Sequence, residues 1–439
     1  MEAKIHVQVE DYSSSIEYIL RPILYTSWFF GAGVACPRKC SKAITIIIRI
    51  VHLAVCSFSV TYSVFDFSNF DTAMATDSDI YKFMYCMNKA MCYVSAYYYI
   101  YQGIRHYNKW PTLMDRMNKL DQKIRSETPL NNRTVKNLMV LAILATFACC
   151  PLSLITHAVY YYFKYPEYVF VSDLLFYYML AQSLINSFVF DVIVYVLYHR
   201  FRVINELISQ MDEMFGASWI ALKIRRTREF HNGICDIIIV LNDIHSFHLL
   251  LCSVNCFTVV VSTLFKVYMN VVEKNFAFTL VYIILCITYI VQFGLMCWIC
   301  TLARQESERT GIIIYTFALN YKNLNQDRVR NEVNDFSIQL QQHRVAFTAC
   351  NFFEISNALL SGFIGVISAY LIILIQFYQP PKEGSSMSIH GVSVLNMNSA
   401  NYDEIPSLFH SSSLETNSSS SYYNVSQSHY DYFMNYNMI

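Results

Sequence analysis

SAYLIILIQF, Ser368 to Phe377, closes the last long apolar run of this 439-residue chain. Only Ser368, Tyr370 and Gln376 interrupt it, and Gln376 sits between Ile375 and Phe377. Hydrocarbon offers a primary amide no hydrogen-bond partner, at a cost of about 2–7 kcal/mol. Gln376 therefore needs either polar partners on other helices or water. On a helix over 353–377, Gln376, Ile373, Ile372, Ala369, Gly365 and Gly362 share one face. Leu374, Leu371, Ile367 and Phe363 form the opposite, bulkier face. Small residues on a membrane helix suit close helix packing. They equally suit a helix lining a symmetric pore, where amides from several subunits make an uncharged ring that passes cations with little selectivity.

The rest of the chain has the composition of a membrane protein: 55% of residues are apolar and 15% charged, against roughly a quarter charged in soluble domains. The formal net charge is zero, which gives no reason to expect a nucleic-acid partner. The opening MEAKIHVQVEDYSS lacks the basic start, apolar run and cleavage site of a signal peptide, so the first apolar run is expected to be an uncleaved span. Spans of about 20 apolar residues are predicted at 43–65, 80–101, 137–161, 169–198, 247–270, 276–302 and 353–377.

Basic residues orient these seven spans. The 1–42 segment carries five Lys/Arg and the 102–136 connection eight; 199–246 and 303–352 carry six each. The intervening 66–79 segment has four aspartates and no base, while 162–168 and 271–275 have one lysine each. Basic loops belong in the cytoplasm, so the N-terminus is expected inside and the C-terminus outside. The resulting division is a cytoplasmic 1–42, membrane helices one to six with helical extensions over 43–302, a cytoplasmic linker and helix over 303–352, helix seven over 353–377, and a tail over 378–439. Apolar spacing at Phe201, Ile204, Leu207, Met211 and Met214, and at Val333, Phe336, Leu340 and Phe347, predicts that spans extend as helices below the bilayer. The Ser-, Asn- and Tyr-rich tail is expected to be disordered and extracellular, with sequons at Asn417 and Asn424. A third sequon, at Asn132, falls inside on this topology.

Cysteines mostly lie within apolar runs, CWIC (Cys297 to Cys300) among them, and read as small core residues. There is no His-Glu-x-x-His, no glycine-rich phosphate loop and no nucleophile elbow, so no enzyme, metal or cofactor is implied. A G-protein-coupled receptor also has seven helices, but with the opposite orientation, and it stays the alternative class.

AYLIILIQF (Ala369 to Phe377) resembles the Thr-Tyr-five-apolar-Gln-Phe motif that ends the last helix of insect gustatory receptors, with Ala369 in place of the threonine. CWICTLARQESERT, with Ala303 and Glu306, resembles the exit of that family's sixth span. The resemblance implies an all-α membrane protein: a homotetramer, or a heteromer with sister receptors, in the plasma membrane of a gustatory neuron. It further implies a non-selective cation channel opened by a small-molecule tastant, with the last helix lining a central pore. Phe377 would be the gate, Gln376 the adjacent amide, Ile373 and Ala369 further lining residues, and Tyr370 a structural partner within the subunit. Leu371 stands where sugar receptors are typically acidic, which favours a bitter or other non-sugar tastant, with a fructose-type receptor as the alternative. Candidates for a tastant cleft in the outer halves of the spans are Tyr85, Asn88, Asp173, Tyr177, Gln182 and Tyr282, each of which also fits plain helix packing. Asp173 and Asp191 stand apart, because a carboxylate inside a span needs a reason.

Overall fold

A computed structural model describes residues 15–37, 40–68, 79–164, 171–211, 216–272, 279–320 and 327–378. In chain order they form α1 (Ile16–Phe29), α2 (Lys42–Ser68), α3 (Asp79–Arg105), α4 (Lys109–Arg125), α5 (Arg133–Lys164), α6 (Val171–Ser209), α7 (Ala217–Val272), α8 (Thr279–Asn320), α9 (Asp327–Gln342), β1 (Thr348–Ala349), β2 (Phe353–Glu354) and α10 (Asn357–Phe377). Helices occupy the seven predicted span positions, namely α2, α3, α5, α6, the second part of α7, the first part of α8, and α10, but the last starts at Asn357 instead of 353, because Phe353–Glu354 pair as β2. Five helical stretches among the described residues are long and apolar enough to cross a membrane: Lys42–Val64, Tyr177–Ser209, Ala217–Val272, Tyr282–Leu319 and Asn357–Phe377.

Length shows why these helices do two jobs. The 56 residues of α7 extend about 84 Å at 1.5 Å per residue, far beyond a hydrocarbon layer about 30 Å thick. The 39 residues of α6 and 42 of α8 also overrun it. Their surplus forms, with α4 and α9, a second helical bundle contiguous with the first. The expected extension over 199–245 is therefore helical, but it is divided. Residues up to Ser209 continue α6, and those from Ala217 lead unbroken into the fifth span. A further expectation is corrected at 343–350: α9 stops at Gln342, and Phe347 lies off the helical stripe assigned to it. Val345, Phe347 and Ala349 are buried at every second residue, so this stretch is extended and enters the antiparallel β1–β2 pair. The hairpin turns through Cys350 and Asn351, both at positive φ (50° and 60°).

The innermost helix is α6, packed against α5, α7 and α8. Outside the predicted spans, Arg200 of α6 makes a two-pronged ion pair with Asp121 of α4 at 2.7 and 2.9 Å. Arg200 also donates to Asn132 Oδ1 at 2.9 Å, so that sequon asparagine is engaged inside the fold. Glu127 meets Lys223 and Arg226, and the hydrogen bond from Lys223 chiefly holds its carboxyl below the usual carboxylate range. His231, roughly 24 Å of helix before the fifth span begins, is pushed by burial down to about 4 and meets Ser307 Oγ at 3.2 Å.

Missing from the sequence reading is α1, capped by Ser15 and burying Ile16, Ile19, Leu20, Ile23, Leu24 and Ser27 on one side. Its following turn is gripped by other helices. Arg49 of α2 donates to Gly31 O and, at 2.7 Å, to Gly33 O; Gln182 of α6 donates to Phe30 O at 2.6 Å. Gly31 and Gly33 both have φ of +62°. A Cβ on Gly33 would also collide with Asn186 Oδ1, and Asn186 is itself bonded to His248. Gly33→Ala is expected to cost about 1–2 kcal/mol for the left-handed backbone, plus about 1–3 for overpacking. A melting curve of the solubilised variant matching that of the wild type would refute this.

Candidate functional site

The site is built around α10, the most apolar helix of the fold, and begins with what holds it. Ser356 caps its start by accepting from Leu359 N, and Asn357 N donates to Thr301 Oγ1 of α8 at 2.9 Å. Ahead of the cap, Ile355 N donates to Phe347 O at 2.8 Å, and Arg304 donates to Glu354 at 2.7 Å. The other end is held by Tyr378, whose N donates to Leu374 O at 3.1 Å. The Tyr378 ring is buried edge-on against Phe265 and Tyr268, both with centroids 6.0 Å away. Between the ends, Leu359, Leu360, Phe363, Ile367, Leu371 and Leu374 lie against the core. Phe363 stacks on Phe293 at 5.1 Å and 12°.

So the bulky face is set against α7 and α8, and the small face is open. Gly362 and Gly365 have nothing within 4 Å of where a Cβ would stand. Ala369, Ile373, Gln376 and Phe377 are all exposed, Phe377 by 67%. Tyr370 is half exposed, and its ring meets Phe257 edge-on at 5.6 Å. No residue of α10 is buried. A helix this apolar with one whole face free is stable only beside lipid or another protein surface.

The cleft candidates come from α3, α6 and α8. Asn88 is buried with Oδ1 lacking a hydrogen-bond partner, and Tyr177 and Tyr282 are buried. Tyr85 and Asp173 lie in α3 and α6, but their side chains are outside the described residues, as are Asn417 and Asn424. Gln182 is fully buried; its Nε2 donates to Phe30 O and, at 2.8 Å, to Tyr178 OH. That turn is held by Arg49 near the start of α2 and abuts Gly103 near the end of α3. Gln182 thus belongs to the end where α2 starts and α3 stops, the cytoplasmic end on the charge-derived orientation, instead of the expected outer half.

Sequence reasoning also missed a polar seam along α6. Ser183 meets Tyr99 OH at 3.2 Å, Asn186 meets His248 Nδ1 at 3.1 Å, and Ser187 meets Cys252 Sγ at 3.6 Å. Its signal was present as polar residues at three- and four-residue steps, Ser183, Asn186, Ser187 and Asp191.

The sequence profile described as 7tm chemosensory receptor matches residues 20–379. Two Drosophila melanogaster proteins are similar over part of the chain. Gustatory receptor for bitter taste 66a is 28% identical over 177 residues, 38% of this chain and 32% of that protein. Putative gustatory receptor 28b is 25% identical over 168 residues, 35% and 34% respectively. The chain thus spans about a third of the length of these relatives. Among solved structures, the olfactory receptor OR5 from Machilis hrabei in complex with eugenol has a similar fold. Its TM-score is 0.58 at 12% identity, over 82% of this chain and 98% of that one. The same receptor in a second structure gives a TM-score of 0.55.

Proposed function

The chain belongs to the 7tm chemosensory receptor family, and on that premise we propose that it is an insect-type gustatory receptor opened by a tastant as a non-selective cation channel. The observation that carries this reading is α10: both ends are fastened to its own subunit, the bulky face is seated, and the small face with Gln376 and Phe377 is free. In a tetramer with α10 innermost, that face borders the conduction path. Phe377 gates it and the Gln376 amides line it. Gln376 then meets water and its symmetry mates, which resolves the cost of an amide in an apolar helix.

The seven helices cross with the N-terminus inside and the C-terminus outside, in the plasma membrane of a sensory neuron. Asn88, Tyr177 and Tyr282, with Tyr85 and Asp173, contribute to the tastant cleft. A bitter or other non-sugar tastant fits best: Leu371 leaves the position after Tyr370 uncharged, and a relative's name refers to bitter taste. Two measurements test the reading. An epitope appended at Ile439 should label on intact cells; labelling only after permeabilisation would reverse the topology. Cells expressing the chain should then carry tastant-evoked current with G-protein signalling blocked, and current lost under that block would favour the G-protein-coupled class.

A further inference from the structure

Asp191 is 1% exposed, and neither carboxyl oxygen has a hydrogen-bond partner among the described residues. It interacts electrostatically with the thiols of Cys252 on α7 and of Cys297 and Cys300 on α8, all three buried. None of these carries a counter-charge, and a thiol is only a weak donor to a carboxylate. Unmet polar atoms continue along the same seam from three other helices. Gln292 of α8 is buried with Nε2 unpartnered, while its Oε1 accepts from Cys252 Sγ at 3.6 Å. His245 of α7 is buried with both ring nitrogens unpartnered, and Gln102 of α3 with Oε1 unpartnered.

Buried polar atoms in native proteins almost always have partners, and an internal water typically supplies about three hydrogen bonds to groups that otherwise have none. Here the unmet atoms include acceptors (Asp191, Gln102) and a donor (Gln292), the mixture that water satisfies and a lone cation or anion does not.

We propose that the seam between α3, α6, α7 and α8 is a binding site for ordered water, anchored on Asp191. This answers why a carboxylate stands in the fourth predicted span. It also places water at the root of α10, because Cys300 adjoins Thr301, which accepts from the first amide of that helix.

The surrounding cysteines make the proposal measurable, since thiols react readily with hydroxyl radicals formed from neighbouring water. Full-length receptor in nanodiscs and 18O-water would be exposed to millisecond X-ray pulses, with oxygen uptake read by mass spectrometry. Cys56 is the reference away from the seam: equally buried, it packs with Ala96, Ile100 and Met179, flanked by Tyr93, Tyr97 and Tyr178. Cys252, Cys297 and Cys300 should be labelled several-fold faster than Cys56. Asp191→Leu should bring them down to the Cys56 rate, and Asp191→Asn should preserve the labelling. Equal rates for all four cysteines in the wild-type receptor would overturn the proposal without recourse to any variant. Labelling that survives Asp191→Leu would overturn the role of Asp191 as the anchor.

Discussion

Arg200→Ala is expected to cost about 3–5 kcal/mol, enough to keep folded receptor from accumulating. The side chains of Arg200 and Asp121 are only 2% and 7% exposed, and their two hydrogen bonds tie α6 to α4. Removing the guanidinium leaves a carboxylate buried without its counter-charge, and Asn132 loses its donor as well. Asp121→Ala should do comparable damage from the other side. The paired replacement Arg200→Met with Asp121→Leu should recover much of the loss, because the penalty comes from an orphaned charge more than from a missing attraction. Fluorescence-detected size exclusion after graded heating would compare the three. Single variants that survive heating as the wild type does would remove this pair from the determinants of the fold.

Gln376→Arg is expected to cut tastant-evoked cation current at least about tenfold while leaving the amount of receptor at the cell surface unchanged. At 4 Å a unit charge opposes a cation by about 1 kcal/mol even in bulk water. A ring of four would thus exceed the 1.4 kcal/mol that corresponds to a tenfold change. Surface amount should hold because Gln376 lies on the open face of α10 and touches none of the core that seats Phe363, Ile367 and Leu371. Gln376→Glu should act oppositely, raising preference for cations and sensitivity to divalent block. Wild-type currents and reversal potentials in both variants would move the conduction path away from α10.

Much of this was legible in the residues. Span positions follow from apolar runs, and the two faces of α10 follow from three- and four-residue steps, because both are local properties of a helix. What escaped depends on contacts between distant parts of the chain. Asp121 and Arg200 are far apart in sequence, so no spacing could pair them. The level of Gln182 is set by the turn after α1, whose tight course needs Gly31 and Gly33 and whose carbonyls are claimed by Arg49, His52 and Gln182. Phe347 fits a helical stripe by number alone, but alternate burial from Val345 to Ala349 shows that extended pairing prevails there. The continuity of α7 was hidden because apolar spacing assigned all of 199–245 to an extension of the fourth span, whereas α6 ends at Ser209 and the residues from Ala217 belong to the helix of the fifth.

That continuity has a mechanical meaning. With 56 residues and no proline, α7 behaves as a stiff rod carrying α10 against one stretch and α4 and α9 against another. A tilt of roughly 5° about its midpoint would swing each tip by about 4 Å in opposite directions. A displacement introduced at one end therefore reaches the far bundle at nearly full amplitude, as with a lever that has no joint along its length.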